Sequence, residues 1–249
     1  MAMHAVLYRS SQAIGATNAS LTAIGFSQDV VTNNKILLQS DMKLVLATMY
    51  GVGLNVPRIQ TPWLIQTASL QCTPFGTAAT GGSNPNTVDF TGAPVLLRKT
   101  ESIDVQTTNT DAGAQTHNAI LQLWDGVGGN PTGQRLKILA TSVGPAVAGA
   151  WTRINLTYQD NLPNKVFAIV GIEVFCATGL IGRLDIPGQA YKPGVPVKNA
   201  VANRLYWHQY DLQMGELGRF SNQALPALEV FATAADALFN VWLDVVVVS

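Results

Sequence analysis

Three histidines are the first residues of this sequence to consider for chemistry, because imidazole binds metals and transfers protons near neutral pH. His4, His117 and His208 are separated from one another by 91 positions or more. A cupin-type metal enzyme needs a His-x-His pair and a later histidine, and that pattern is missing from the sequence. His208 lies within Tyr206–Tyr210, an aromatic segment that could contact a sugar or a receptor or could form an ordinary packed loop.

The other common catalytic and ligand-binding patterns are also missing from the sequence. It contains no Gly-x-Ser-x-Gly nucleophile turn, and Gly126–Gly129 lacks the third glycine and the lysine of a phosphate loop. Asp125 and Asn130 could offer two oxygens to calcium, but a calcium loop needs more ligands than that. We therefore assign no catalytic, metal or cofactor residue, expect no cofactor, and predict a protein that is not an enzyme.

Cysteine and tryptophan give structural expectations. Cys72 and Cys176 are too few for a disulfide framework, and we predict two free, packed thiols. Core packing is the expectation for three of the five tryptophans, and Trp207 is the candidate for an interface or ligand loop. The three predicted core tryptophans are Trp63, Trp124 and Trp242, and the fifth is Trp151.

Composition argues for a packed β protein with extensive contacts. Apolar residues make up 47% of the chain and charged residues 12%, about half of the usual share of ~25%. The formal net charge is zero, and the densest basic sites are the pairs Arg98-Lys99 and Arg135/Lys137. Direct binding of nucleic acid needs clustered Lys or Arg, so we expect none.

Neither a secretory signal nor a membrane helix is predicted. The first residues lack a charged segment followed by an apolar core. The longest apolar stretch, Leu44–Leu54, is too short to span a bilayer and contains Gly51 and Gly53. We expect a soluble chain that is made and retained inside a cell.

Period-two alternation of apolar and polar residues predicts many short strands. In Thr152–Tyr158, for example, Ile154, Leu156 and Tyr158 are expected on one face. Turns rich in Gly, Pro and Asn separate the strands, including Gly81–Pro85 and Gly128–Pro131. The other predicted strands are Lys43–Tyr50, Arg58–Leu64, Ser102–Thr107, Asn118–Trp124, Arg135–Thr141, Val166–Ala177, Gly182–Ile186, Leu205–His208, Leu228–Thr233 and Asn240–Val248. Gln28–Gln39 could be either a short helix or a strand.

A weak internal repeat suggests that one β unit is duplicated. Lys43-Leu-Val-Leu-Ala matches Lys165-Val-Phe-Ala-Ile, and Arg58-Ile-Gln-Thr-Pro matches Arg183-Leu-Asp-Ile-Pro. Near the end of each half, Asn118-Ala-Ile-Leu matches Asn240-Val-Trp-Leu. These landmarks are offset by 122 to 125 positions, close to half of the 249 residues. Duplication is favoured, and a single larger sandwich stays open as the alternative.

The repeat leads to a domain prediction with three parts. Residues 1–26 fall outside the repeat and carry no charge between Arg9 and Asp29, so we predict an N-terminal arm that is ordered only against a neighbour. Deleting residues 1–25 should then leave the fold intact and impair assembly. Residues 27–128 and 129–249 are predicted to be the two β units, joined near the glycine-rich segment 125–134.

One family resemblance can be drawn from these residues. The stretch from Leu162-Pro163 to Arg183-Leu-Asp-Ile-Pro-Gly-Gln189, Leu217-Gly-Arg-Phe220 and the closing Val241-Trp-Leu-Asp-Val245 resemble capsid proteins of small tailless phages. Together with the repeat, this resemblance implies an all-β double jelly-roll major capsid protein. It further implies trimers of pseudo-hexagonal outline that tile an icosahedral shell, a virion location after synthesis in the host cytoplasm, and no catalytic residue.

The implied partners are other copies of the chain and neighbouring capsomers, with minor capsid or vertex proteins and an internal membrane as further possibilities. Two alternatives stay open. A single jelly-roll capsid protein would share the composition but lack the repeat. A carbohydrate-binding or adhesin-like β-sandwich would expose aromatic residues such as Tyr206, Trp207 and Tyr210 on one loop.

Overall fold

A computed structural model describes most of the chain. The described residues are 3–67, 70–71, 86–126, 129–197, 207–208, 215–235 and 238–248. The chain divides into two compact units. The N-terminal unit is Val6–Asp125, and the C-terminal unit is Gly126–Ser249 together with Met1–Ala5. The predicted boundary at 128/129 lies three residues beyond this division.

The described part of the N-terminal unit contains two antiparallel sheets and one short helix, α1 (Pro62–Thr67). One sheet has the strand order β1-β11-β5-β8, with β9 also on β5, and the other has β3-β4-β10-β6-β7, with β2 also on β10. The strands are β1 (Met3–Gln12), β2 (Ala19–Ser20), β3 (Val31–Thr32), β4 (Lys35–Leu37), β5 (Met42–Tyr50), β6 (Leu54–Gln60), β7 (Leu70–Gln71), β8 (Asn86–Asp89), β9 (Val95–Leu97), β10 (Ser102–Asn109) and β11 (Gln115–Trp124).

The described part of the C-terminal unit is also built from two antiparallel sheets. Their orders are β14-β12-β21-β15-β18, with β19 also on β15, and β13-β20-β16-β17. The strands are β12 (Gln134–Ser142), β13 (Trp151–Ile154), β14 (Leu156–Tyr158), β15 (Val166–Phe175), β16 (Gly179–Asp185), β17 (Gly194–Pro196), β18 (Trp207–His208), β19 (Gly218–Ser221), β20 (Ala227–Ala232) and β21 (Asn240–Val247).

Both strand orders are those of a jelly roll, in which eight strands B to I form the sheets B-I-D-G and C-H-E-F. In the C-terminal unit β12, β21, β15 and β18/β19 are B, I, D and G, and β13, β20, β16 and β17 are C, H, E and F. In the N-terminal unit β1, β11, β5 and β8 follow the first order, and β4, β10, β6 and β7 the second. The chain is a double jelly roll.

The three sequence landmarks of the repeat all fall on equivalent strands. Lys43 and Lys165 mark the D strands β5 and β15, Arg58 and Arg183 lie in the E strands β6 and β16, and Asn118 and Asn240 lie in the I strands β11 and β21. The predicted duplication and the all-β class are confirmed by this strand order.

Burial explains why the D and I strands are apolar almost without interruption. Eight of the nine residues in β5 are buried, and Lys43 is half-buried. β15 begins with seven residues that carry no polar side chain, Val-Phe-Ala-Ile-Val-Gly-Ile. A strand in the middle of a sheet that is covered on both faces shows a continuous apolar run. β12, which lies next to the short edge strand β14, alternates instead over its second half, with Ile138 and Ala140 buried.

The N-terminal arm is the prediction that the structure corrects. Met3–Gln12 forms β1, the B strand of the first jelly roll, and its first six residues are buried. Tyr8 is fully buried, and its hydroxyl donates to the Ile103 carbonyl at 2.9 Å. Because β1 is covered on both faces, its sequence shows no alternation, which is why a pattern search misses it. The part of residues 1–26 that the structure describes, 3–26, is therefore not an arm.

Smaller corrections concern strand limits. Thr152–Tyr158 is not one strand, because Asn155 separates β13 in one sheet from β14 in the other. The predicted strand Arg58–Leu64 ends at Gln60, and its last residues enter α1. Within Gln28–Gln39, β3 and β4 form a hairpin whose turn residues Asn33 and Asn34 both have positive φ. Across the described ranges, no helix reaches the length and apolarity that crossing a bilayer requires.

Candidate functional site: a buried charged cluster and exposed apolar loops

The histidines weighed for metal binding form no cluster among the residues that the structure describes. Within the described ranges there is no group of three or more His, Cys, Asp or Glu residues that could hold a metal ion. His4 belongs to the C-terminal unit and His117 to the N-terminal unit. The side chain of His208 lies outside the described residues, as do Tyr206, Gln209, Tyr210 and the side chain of Trp207.

His117 has a structural environment in the I strand β11. Its Nε2 lies 3.0 Å from the Val52 carbonyl, so Nε2 carries the proton and donates it. Its Nδ1 then accepts the hydrogen bond from the Thr107 hydroxyl, 2.9 Å away. Burial lowers the pKa of His117, and the hydrogen bond to Val52 opposes that change. Both ring nitrogens form hydrogen bonds inside the protein. Through them His117 on the I strand β11 connects the D–E turn at Val52 with the H strand β10 at Thr107.

Asn130 and Cys176, two further candidates from the sequence, have structural environments. Asn130 Oδ1 accepts a hydrogen bond from the Gly215 amide at 3.2 Å, which uses one of the two oxygens considered for calcium. Cys176 is a buried thiol that forms no disulfide, as predicted, and Cys72 and the turn Gly81–Pro85 lie outside the described residues.

The tryptophans are less buried than predicted. Trp63, Trp124 and Trp242 are half-buried, not core residues. Each lies beneath a cation: Arg98 is 4.5 Å from the Trp63 ring, Lys43 5.3 Å from Trp124 and Lys137 5.2 Å from Trp242. A cation over a ring face stabilises such half-exposed aromatic positions. Sequence patterns place these residues in or beside strands correctly but cannot show which neighbour covers the ring.

A buried ion pair lies at the centre of the C-H-E-F sheet in the C-terminal unit. Arg183 Nε donates to Glu229 Oε2 at 2.7 Å, with the two side chains 0% and 1% exposed. These residues are register partners on β16 and β20. The guanidinium also lies 4.3 Å from the ring of Trp151, which packs edge-on against Phe231. The ion pair is on the outer face of the sheet, because the adjacent Gly182 faces Val174 of the opposite sheet.

Asp185 extends this charged cluster along β16. Its carboxylate accepts from Arg153 Nε at 2.6 Å and from the Lys192 ammonium. Burial alone would raise the pKa of Asp185, but the hydrogen bonds and charges of Lys192 and Arg153 hold it below its usual value. Every charge in this cluster has an opposite charge beside it, which is the arrangement of a structural network rather than of a catalytic pair.

The cluster fastens the first residues of the chain. Arg183 Nη1 donates to the Ala5 carbonyl at 3.0 Å, and the Ala5 amide donates to the Lys192 carbonyl at 3.0 Å. The Lys192 amide in turn donates to His4 Nδ1 at 3.0 Å. Gly194 allows this close approach, since a Cβ there would lie 3.0 Å from the Ala5 Cβ and 2.5 Å from the Arg183 Cβ. The repeat in the sequence identifies Arg183 as an equivalent of Arg58 but does not reveal this cluster.

Exposed apolar side chains lie on the B–C loop of each jelly roll. Ile14 is 67% exposed in the N-terminal unit, and Val143 and Val147 are 66% and 59% exposed in the C-terminal unit. Leu238, 47% exposed, lies on the H–I loop beside them, where the Ser142 amide donates to the Phe239 carbonyl. The segments 13–18 and 143–150, which directly follow the two B strands, contain no charged residue. Large apolar side chains on uncharged loops are typical of contact surfaces.

Comparison with known proteins gives likenesses to solved structures. No protein-family model and no curated protein matches the chain. The major capsid protein P2 from bacteriophage PM2 is similar over 99% of this chain and 98% of its own, with a TM-score of 0.27 and 12% identity. The STIV MCP is similar over 97% of both chains, with a TM-score of 0.28 and 9% identity. At these values neither structure assigns a function to this chain.

Proposed function

We propose that this protein is a structural capsid subunit that assembles with other copies of itself into a shell. The observation that carries the proposal is the pair of uncharged segments 13–18 and 143–150, one directly after each B strand, with Ile14, Val143 and Val147 exposed. Apolar side chains of this size in water favour association, and a closed symmetric assembly removes them from solvent.

The polar groups of the two units support a structural role. Arg183 and Glu229 satisfy each other within the C-terminal unit, and His117 is hydrogen-bonded through both ring nitrogens. These groups are the most buried candidates for chemistry, and each already has its partner inside the protein. A non-enzymatic subunit needs polar groups arranged in this way, whereas a catalytic site needs groups free to meet a substrate.

The finer features of the proposal follow from two jelly rolls in one chain. Three chains would present six similar units, so we propose a trimer of pseudo-hexagonal outline that tiles an icosahedral shell. The protein would be made in the host cytoplasm and located in the virion. Neighbouring capsomers would be its main partners, with minor vertex proteins and an internal membrane as possible further ones.

Light scattering of the purified full chain, followed by electron microscopy of the same sample, tests this proposal. A mass near three times the chain's 26.5 kDa, or closed particles, is the expected result. A monomer that forms no particles at any salt concentration or pH would contradict it, and glycan binding by that monomer would favour a carbohydrate-binding module instead.

A further inference from the structure

The E strands of the two jelly rolls carry an arginine at the same position. Arg58 in β6 pairs in register with Gln106 of β10, and Arg183 in β16 pairs with Glu229 of β20. Each arginine is followed by a fully buried apolar residue, so both arginines lie on the outer face of a C-H-E-F sheet. These following residues are Ile59 and Leu184.

The surroundings of the two arginines differ. Arg183 is fully buried, with Glu229 as its counter-ion and the Ala5 carbonyl as a further acceptor. Arg58 is only half-buried, yet its Nε is shielded from solvent and has no hydrogen-bond partner among the described residues. Shielded donors are normally satisfied in native proteins, so Arg58 points to an acceptor supplied from outside the described chain.

An unsatisfied acceptor lies on the same face. Asp104 Oδ2 accepts from Gln106 at 3.0 Å and faces Lys35 at 3.2 Å, but Asp104 Oδ1 is buried without a partner among the described residues. Asp104 and Gln106 share this face with Arg58 because they alternate with Val105, which is fully buried. Arg58 Nε is a donor and Asp104 Oδ1 is an acceptor, and they lie on neighbouring strands. A backbone segment that lies across this face could satisfy both, with a carbonyl and an amide.

The second jelly roll shows which kind of segment satisfies such an arginine. Arg183 Nε donates to Glu229, its register partner, and Arg183 Nη1 donates to the carbonyl of Ala5, near the start of the B strand β1. Counted back from the last residue of each B strand, Met3–Ala5 corresponds to Gly133–Arg135 at the start of β12. Met3–Ala5 is buried, whereas Gly133–Arg135 is exposed.

The start of β12 also has a backbone edge available for contact. On one side β12 pairs with β21 along almost its whole length. On the other side β14 pairs only with Ala140–Ser142, so within the described residues the first part of β12 has no strand beside it. An exposed strand edge without a neighbouring strand readily joins another chain.

We propose that the outer face at Arg58 and Asp104 receives the start of β12, residues 133–135, from a second copy of this chain. Arg58 carries no carboxylate partner at Gln106, so its Nε donates to a carbonyl of that segment, the kind of acceptor that Arg183 Nη1 finds in Ala5, and Asp104 Oδ1 accepts from one of its amides. The contact joins different surfaces of the two copies, so each copy can both give and receive a segment, as a ring requires. This inference rests on the proposed self-assembly and names its contact.

Disulfide trapping between two separately purified chains tests the contact directly. One chain carries Gln106→Cys and a mass tag, and the other carries Gln134→Cys. After mixing and mild oxidation, a covalent pair should appear on a non-reducing gel, and adding Arg58→Ala to the first chain should reduce it at least tenfold. The matched control replaces Gln134→Cys with Asn164→Cys, an exposed position in the C–D loop, and the unmodified chain gives the background.

The outcomes separate this contact from the proposed function. Trimers or particles that give no tagged pair, or that give the same yield with Asn164→Cys, overturn the contact and leave the capsid role standing. A chain that stays monomeric and gives no pair overturns both. Arg98→Ala, which removes the same charge from an exposed position of the same unit, should assemble normally. Circular dichroism confirms that Arg58→Ala is folded, and Arg58→Lys, which keeps the charge but lacks Nε, should also trap poorly.

Discussion

Arg183 and Glu229 form a fully buried ion pair, with Arg183 Nε 2.7 Å from Glu229 Oε2, at the centre of the C-H-E-F sheet of the C-terminal unit. Strand pairing in register places the two side chains opposite each other, and Trp151 covers the guanidinium. Removing one partner leaves the other charge buried and unpaired, whereas replacing both with apolar residues removes the desolvation cost as well.

The first prediction concerns this pair. Arg183→Ala or Glu229→Ala should lower the free energy of unfolding by about 3–5 kcal/mol, because a buried charge loses its counter-ion. Arg183→Met combined with Glu229→Leu should be much less harmful. Urea unfolding of the three variants measures both effects. Equal losses in the single and double variants would contradict this account.

The second prediction concerns the start of the chain. Deleting residues 1–5 removes the Ala5 carbonyl that Arg183 Nη1 donates to, and should cost about 1–3 kcal/mol. Deleting residues 1–12 removes the whole B strand β1 and should prevent the N-terminal unit from folding. Hydrogen exchange should show faster exchange in β16 and β17 for the short deletion. Unchanged protection after either deletion would restore the arm interpretation of residues 1–26.

The third prediction is a pH dependence that originates at His117. Burial lowers the pKa of His117 in the folded chain below 6.5, its ordinary value, which it keeps in the unfolded chain. At a pH between the folded and the unfolded pKa, the unfolded chain therefore binds a proton that the folded chain does not. Stability should therefore fall as the pH drops below 6.5. Urea midpoints at pH 7.5 and 5.5 measure the fall, and His117→Gln should make it smaller. A variant with the same pH dependence as the natural chain would assign the effect to other groups.

The fourth prediction tests the close approach at Gly194. A methyl group there would lie 2.5 Å from the Arg183 Cβ and 2.8 Å from the Gly182 carbonyl. Gly194→Ala should therefore destabilise the protein by about 1–3 kcal/mol. The matched control is Gly144→Ala, since no atom lies within 4 Å of a Cβ at that position. Thermal unfolding of the two variants makes the comparison, and similar midpoints would argue against tight packing at Gly194.

The fifth prediction concerns the exposed loops. Val143→Ser combined with Val147→Ser removes two exposed apolar side chains from the B–C loop of the C-terminal unit. Because neither side chain is buried, the free energy of unfolding should change by less than about 0.5 kcal/mol per site. Assembly should weaken, as measured by light scattering at several concentrations. Normal particles from this variant would show that these side chains are not part of a contact.

The repeat shows how far local patterns reach. The D and I strands were among the predicted strands, and the shared offset identified β5 with β15 and β11 with β21. The structure shows that they are apolar almost without interruption because both of their faces are buried. The same property hid β1, since a strand without alternation and without a repeat partner resembles an uncharged arm. Asn155 was missed for a related reason, because alternation continues across the point where the chain passes from one sheet to the other.

The all-β class, the duplication and most strand positions followed from the sequence alone. These features depend on residue order along the strand, where side chains alternate with a period of two. Only the tertiary structure decided the ion pair of Arg183 and Glu229, which are 46 residues apart, and the contact of Arg183 with Ala5 at a separation of 178 residues. Such partners depend on strand pairing and on which face is covered, and local sequence carries no signal for either.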